Sequence, residues 1–398
     1  MKLIKMSLVA ALLVGSSAFA IENTKVSGDA RLFYSTTKQG DNDLLSKEGA
    51  FAQTALGLGL TTDLTTGVSA GAHLTVLSTL GLEGQLVSDV WEGTNGTSDS
   101  FWFDEAWLAG TVGKTTAKIG RMQLDTPLVF SETWSIATNT FEAAVVINQD
   151  IQDTTLVGAY VGGSNGANES GAGYVIAPMN PNGTTNFSQF YNGAYAAGAI
   201  NNSFAPLTAQ AWYYIANANT NLAPATTLTG LQAYWLQADL SMDGILGGIQ
   251  YTSTDYDVNG GTTTISSDAV AVMLGYEMKD VFTAKISYSQ VGKDYSAGAN
   301  LSGSGQSKLY TEGWLNFVVA AADTTAYNLT VEAPVAGYDL GLYTTMTDTS
   351  ADNTATTEVT ATAARSFGPL DTAIALIYFD ADGAAKAGTV QAFLTYNF

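Results

Sequence analysis

The sequence predicts an all-β fold, a transmembrane antiparallel β-barrel of 18 strands, on three observations. Its first twenty residues read as an export signal. The chain holds no cysteine. Segment after segment then alternates apolar with polar residues, up to a terminal phenylalanine. Alternation alone says only that one face of a strand is apolar. In an exported chain without disulfides, it fits strands with one face toward lipid and the other toward water.

Residues Met1–Ala20 carry Lys2 and Lys5, the apolar run Leu8–Val14, and Ala18-Phe19-Ala20 as an A-x-A cleavage site. The organisation expected is therefore a signal peptide over residues 1–20 and a single outer-membrane barrel domain over 21–398. The net charge is −21, and loss of Lys2 and Lys5 with the signal makes it more negative by two. After the signal no run of about 18 apolar residues occurs, which argues against a helical span. Yet 46% of the chain is hydrophobic and only 13% charged. A Gly/Thr-rich secreted sandwich or solenoid is the competing reading.

The clearest alternation begins at Val26, Ala30, Leu32 and Tyr34, opposed by Lys25, Ser27, Asp29 and Arg31. Val68, Ala70, Ala72, Leu74 and Val76 repeat it, as do Leu207, Ala209, Ala211, Tyr213 and Ile215. Phe282, Ala284, Ile286 and Tyr288 follow, then Tyr327, Leu329, Val331 and Ala333. Each polar phase is expected to face the lumen. On that basis Asp29, Arg31, His73, Glu105, Lys118 and Lys285 are the lumen-facing candidates. Arg365 shares an apolar phase beside a turn and is expected to snorkel outward.

Short connections at Thr62–Gly67, Gly113-Lys114, Gln149–Asp153, Asn201–Pro206, Ser241–Gly244, Glu277–Asp280, Pro334–Gly337 and Ser366–Pro369 read as periplasmic turns. Longer stretches at Leu80–Ser100, Gly162–Gln189 and Gly292–Thr324 read as extracellular loops. Counting Lys308–Ala322 as a strand gives an odd number and leaves the chain ends on opposite sides. Assigning it to a loop gives 18 strands, with 16 as the nearest alternative. The last strand, Gly388–Phe398, must then pair with the first near Lys25–Tyr34, because an open sheet edge is not tolerated in hydrocarbon. Leu394, Tyr396 and Phe398 are its closing residues, with the aromatics at the interface.

Between Met122 and Met278 there is no lysine or arginine, but there are twelve carboxylates, among them Asp125, Glu132, Glu142 and Asp239. Carboxylates that line a narrow aqueous passage favour cations; on loop tips they are screened within about 8–10 Å. The Ser-, Thr- and Trp-containing segment Phe130–Thr140, flanked by Arg121 and Asp125, suits a loop folded into the barrel. The constriction candidates are Arg121, Asp125, Glu132 and Glu142. Asp255 and Asp257 form a pair that could take loop calcium, though no spacing matches an established calcium loop. No other cofactor is expected.

Gly120-Arg121-Met-Gln-Leu-Asp125-Thr-Pro127-Leu128, with Asn139-Thr-Phe-Glu142, resembles the constriction-loop region of OprD-type porins. Lys308-Leu-Tyr-Thr-Glu-Gly-Trp314 is similar to the related major outer membrane porins of the Campylobacter group. These motifs are short, although with the signal and Phe398 the likeness runs nearly the full chain. It implies an 18-stranded, trimeric channel with its third loop in the lumen, Arg121, Asp125 and Glu142 near the constriction, and a terminal Phe398 read by the outer-membrane assembly machinery. The cation-free middle departs from the basic ladder by which OprD-type channels guide carboxylate solutes. That favours the cation-preferring behaviour of the Campylobacter-type relatives.

The function expected is that of an outer-membrane porin, passing ions and small hydrophilic solutes through a water-filled, cation-preferring channel. The alternative is a surface adhesin or structural protein acting through its loops. Expected partners are outer-membrane lipid and lipopolysaccharide, the assembly machinery and two further copies of the chain; nucleic acid is not among them. An enzyme is not expected, since His73 is the sole imidazole and no G-x-S-x-G elbow accompanies it.

Overall fold

The computed structural model describes residues 22–78, 100–133, 136–166, 187–216, 228–258, 263–302 and 306–398. The signal assigned to 1–20 lies outside them, as do most of the segments 80–100 and 162–189. The strands are β1 (Glu22–Gln39), β2 (Ala50–Thr65), β3 (Val68–Ser78), β4 (Ser100–Val112), β5 (Thr115–Met122), β6 (Phe141–Asn148), β7 (Thr154–Ser164), β8 (Ser188–Asn201) and β9 (Leu207–Ala216). They continue as β10 (Leu228–Met242), β11 (Ile245–Val258), β12 (Thr263–Met278), β13 (Phe282–Val291), β14 (Thr324–Val335), β15 (Tyr338–Thr349), β16 (Thr354–Phe367), β17 (Leu370–Ala381) and β18 (Ala387–Asn397). Each strand pairs with its chain neighbours, and β18 also pairs antiparallel with β1, so one 18-stranded sheet closes on itself.

Closure falls where the alternation requires it. Ala30 stands opposite Tyr396, and Leu32 opposite Leu394. Phe398 N donates to Gly28 O at 2.8 Å, and Gly28 N donates to Phe398 O at 2.7 Å. Closure leaves the described sheet without a free edge strand.

Two sets of side chains follow from the period of two. On β10, Leu231, Ala233 and Trp235 point inward and are buried at 2%, 0% and 0%, whereas Tyr234 and Leu236 are 46% and 49% exposed on the outer face. Apolar residues crowd both faces here, because the interior is filled by loops rather than by water alone. Besides the links 350–353 and 382–386, which are also short, the eight predicted turn sites all join adjacent strands by short connections. Asp243-Gly244 shows why: φ values of 53° and 84° make a two-residue turn whose twist matches the strands it joins, and a glycine takes the second position without strain.

Lys308–Ala322 is not a strand; apart from a short 3₁₀ turn at Phe317–Ala320 it is irregular, which keeps the strand number even. The connection from β13 to β14 does not project outward as expected of Gly292–Thr324. It folds into the barrel, because Leu309, Leu315, Phe317, Val319 and Ala320 are apolar and become buried against the inner wall and the neighbouring loop.

Candidate pore constriction

Two loops cross the interior. The first joins β5 to β6. Its tip is a tight hairpin, with Asp125 bridged to Phe130, Thr126 N donating to Val129 O at 3.2 Å, and Ser131 N donating to Leu124 O at 2.8 Å. Leu128 N lies 3.4 Å from Tyr214 Oη on β9, and Ile136 O accepts from Arg31 Nη1 on β1 at 2.6 Å. Strands so far apart in the sheet order are joined only through the lumen.

The second loop, between β13 and β14, runs the other way. Lys308 O accepts from Gln250 Nε2 at 2.8 Å, Tyr310 Oη donates to Asp239, and Ser289 and Thr311 share a hydroxyl bond of 2.6 Å. Further along, Glu358 on β16 accepts from Trp314 N and Leu315 N, each at 2.6 Å, and Trp314 Nε1 donates to Gln391 on β18 at 2.9 Å. Burial and the Asp239 carboxylate hold the Tyr310 phenol well above its ordinary pKa, so it stays a donor.

The loops meet along a seam. Leu301 N donates to Leu128 O at 2.9 Å, and Asn300 Nδ2 donates to Phe130 O at 2.9 Å and to Glu132 Oε1 at 2.8 Å. Glu132 is 0% exposed. It therefore ties loop to loop instead of facing the passage, as a constriction residue would. Asp125 does face open space: its side chain is 89% exposed and paired with Lys308, whose Nζ sits 4.8 Å from the centre of the Phe130 ring.

The inner wall carries Asp29, Arg31, His73, Glu105, Lys118 and Lys285, each in the phase that points inward. Arg31 Nε lies 2.6 Å from Asp29 Oδ2. His73 Nδ1 lies 2.7 Å from Asp104 Oδ1, and its Nε2 lies 3.7 Å from Asp29 Oδ1. Lys118 stacks over Trp107 at 4.1 Å, and Trp107 Nε1 donates to Glu105 at 3.1 Å. Below Trp314 a cavity of about 470 Å³ opens at the turn end, lined by Glu332, Asp339, Tyr343, Thr362 and Phe393.

In addition to Glu132, two further constriction candidates do not face the passage. Arg121 stands opposite Ala106 and Glu142, in the phase of Ile119, which is 62% exposed on the outer face. Its Nη2 donates to Glu142 Oε1 at 3.0 Å, and its guanidinium lies 3.9 Å from the Phe187 ring centre. Strand parity, not motif position, decides the side, so this pair belongs to the outer face near the loop end. Arg365 also lies outward, between the Tyr338 and Phe367 rings at 4.8 and 4.9 Å. Asp255 and Asp257 share the phase of Tyr251, which is 41% exposed. Among the described residues, no third acidic or imidazole group joins them to hold a metal.

Sequence reading passed over Asp104, Lys308 as a partner of Asp125, and Glu358. Asp104 left a signal. Phe101 and Phe103 are outward at odd positions while Leu108 is outward at an even one, so the phase must slip between them. A bulge opposite His73 and Leu74 does this and turns Asp104 inward beside Glu105. Glu358 shows only as one acid in a threonine-rich inward phase, and nothing local announces the loop it receives.

No family model and no curated relative matches the chain. Solved structures do match its fold. Acinetobacter baumannii OccAB1 superposes with a TM-score of 0.73 at 12% identity, covering 95% of this chain and 97% of that one. Pseudomonas aeruginosa OpdK, solved with vanillate, gives 0.72 at 12% identity over 95% and 99%. P. aeruginosa OccK8 (OprE) gives 0.71 at 15% identity over 96% and 99%. The architecture is thus that of the Occ channels, an 18-stranded closed barrel.

Proposed function

We propose that the protein is a porin of the bacterial outer membrane that lets ions and small hydrophilic solutes diffuse through a water-filled passage with a preference for cations. The observation that carries this reading is the charge balance inside the barrel. Arg31 is paired with Asp29 and Lys308 with Asp125, and the inward Lys118 and Lys285 are outnumbered by the inward carboxylates Asp104, Glu105, Asp239, Glu332 and Asp339. In a confined passage such a field draws cations and repels anions. Uptake of a carboxylate such as the vanillate found with OpdK is not part of the reading, because the cation-free middle offers no run of basic residues to hold it.

The likeness of Lys308–Trp314 to the Campylobacter-type porins belongs to the same proposal, as do the signal peptide, the homotrimer and recognition of Phe398 by assembly machinery. Reversal potentials across planar bilayers in a KCl gradient test the central claim. A potential of the sign set by potassium is expected; absence of conductance, or firm chloride preference, overturns it.

A further inference from the structure

Lys308 is itself an alkylammonium ion, and it occupies an acid and aromatic cradle. Its Nζ contacts Asp125 Oδ1 and sits over the Phe130 ring. Asp125 and Phe130 face each other across one bridge of the hairpin tip, in which Leu128, Val129 and Phe130 are buried at 0%, 4% and 5%, the Phe130 ring beneath Lys308. The cradle therefore belongs wholly to one loop and is held rigid by it. The ammonium comes from the other.

Solutes can reach the acid while the lysine lies on it, since the two side chains are 89% and 32% exposed. The Lys308 backbone is fixed by Gln250, and Tyr310 N is bound to the same side chain at 3.0 Å. The ammonium, however, ends a four-carbon stem with rotatable bonds. An exposed ion pair of this kind is weak against competition.

We propose that Asp125 and Phe130 form a docking station for organic ammonium ions crossing the barrel, with Lys308 as its resident, displaceable occupant. This rests on the cation-preferring reading and names a class of solute within it. The carboxylate supplies the opposite charge, and the ring face attracts a cation whose alkyl part sheds water readily. An anion seeking Lys308 would have to displace Asp125 and approach the negative face of the ring.

The test is single-channel recording in KCl with n-butylammonium chloride added to one side. Brief current blocks are expected in the wild-type channel. Lys308→Gln and Lys308→Met should lengthen them several-fold by emptying the cradle, Phe130→Leu should shorten them several-fold, and Asp125→Asn or Asp125→Ser should abolish them. Conduction by each variant shows that it has folded. Blocks no longer in the Lys308 variants than in wild type, or unchanged in the Asp125 variants, overturn the station. A reversal potential that still favours potassium in that case leaves the pore reading standing, so the two failures are told apart.

Discussion

The side-chain amide of Asn300 donates to the Glu132 carboxylate at 2.8 Å, joining two loops 168 residues apart in the middle of the barrel. The same amide nitrogen holds Phe130 O, and its oxygen lies 3.3 Å from Phe130 N and accepts from Ser302 Oγ at 3.0 Å. One asparagine thus saturates the seam, and the two loops behave as a single body across the lumen.

Asn300→Ala should loosen that body without opening the barrel. Glu132 then loses one hydrogen-bond donor while buried, at a cost of about 1–3 kcal/mol. The expected readout is a larger or noisier unitary conductance with the heat stability of the barrel unchanged. Conductance identical to wild type would show that the seam does not limit the passage.

Glu312 gives the loop a pH dependence. Burial raises its pKa well above the ordinary glutamate range, and the charges of Glu132 and Glu358 push the same way, against Lys308 and a backbone donor at Ser307. Its Oε1 is buried without a hydrogen-bond partner. Because the folded state disfavours the charged form, the seated loop is most stable below the ordinary glutamate pKa. It loses stability as pH rises above that value, until the raised pKa is passed. Conductance should therefore increase with pH from acid toward neutral, and Glu312→Gln should hold it at the acid level throughout. An unchanged pH profile in the variant would remove Glu312 from the account.

Arg121→Gln with Glu142→Gln should leave ion selectivity as it is. The pair stands on the outer face and is partly exposed, where such bridges contribute about 0–1 kcal/mol. A shifted reversal potential would return these residues to the passage.

Gly28→Leu should impair barrel closure. A Cβ at Gly28 would lie 2.4 Å from Phe398 Cε2, so the terminal ring must leave its place over the β1–β18 seam. A cost of about 1–3 kcal/mol is expected from such overpacking, read as a lower unfolding temperature. Phe398→Ala in the same background should restore part of it; no restoration would mean that the ring is not the obstacle.

Much of the wall was legible because a strand writes its two faces into alternate residues. Asp29, Arg31, His73, Lys118 and Lys285 could be placed inward from parity, and the turn residues marked where each strand ended. Parity fails where a bulge slips the phase, as at Asp104. It also fails where a motif is read in place of the phase, as at Arg121 and Glu142. The loop after β13 was legible only as a non-strand. Its apolar residues Leu315, Phe317 and Val319 say that it must be buried, and do not say against what.

The sequence by itself determined an antiparallel barrel of even strand number, 18 or 16, its closure by the last strand on the first, and the sides to which most side chains point, since all of these follow from local period and turn chemistry. The structure settled the count at 18. Only the tertiary structure decided that a second loop enters the barrel beside the predicted one, that Asn300 locks onto Glu132, that Lys308 lies on Asp125 and Phe130, and that Glu358 receives Trp314. Those contacts join residues far apart in the chain. They depend on which apolar and hydrogen-bonding groups the closed wall brings within reach, a condition no local pattern encodes.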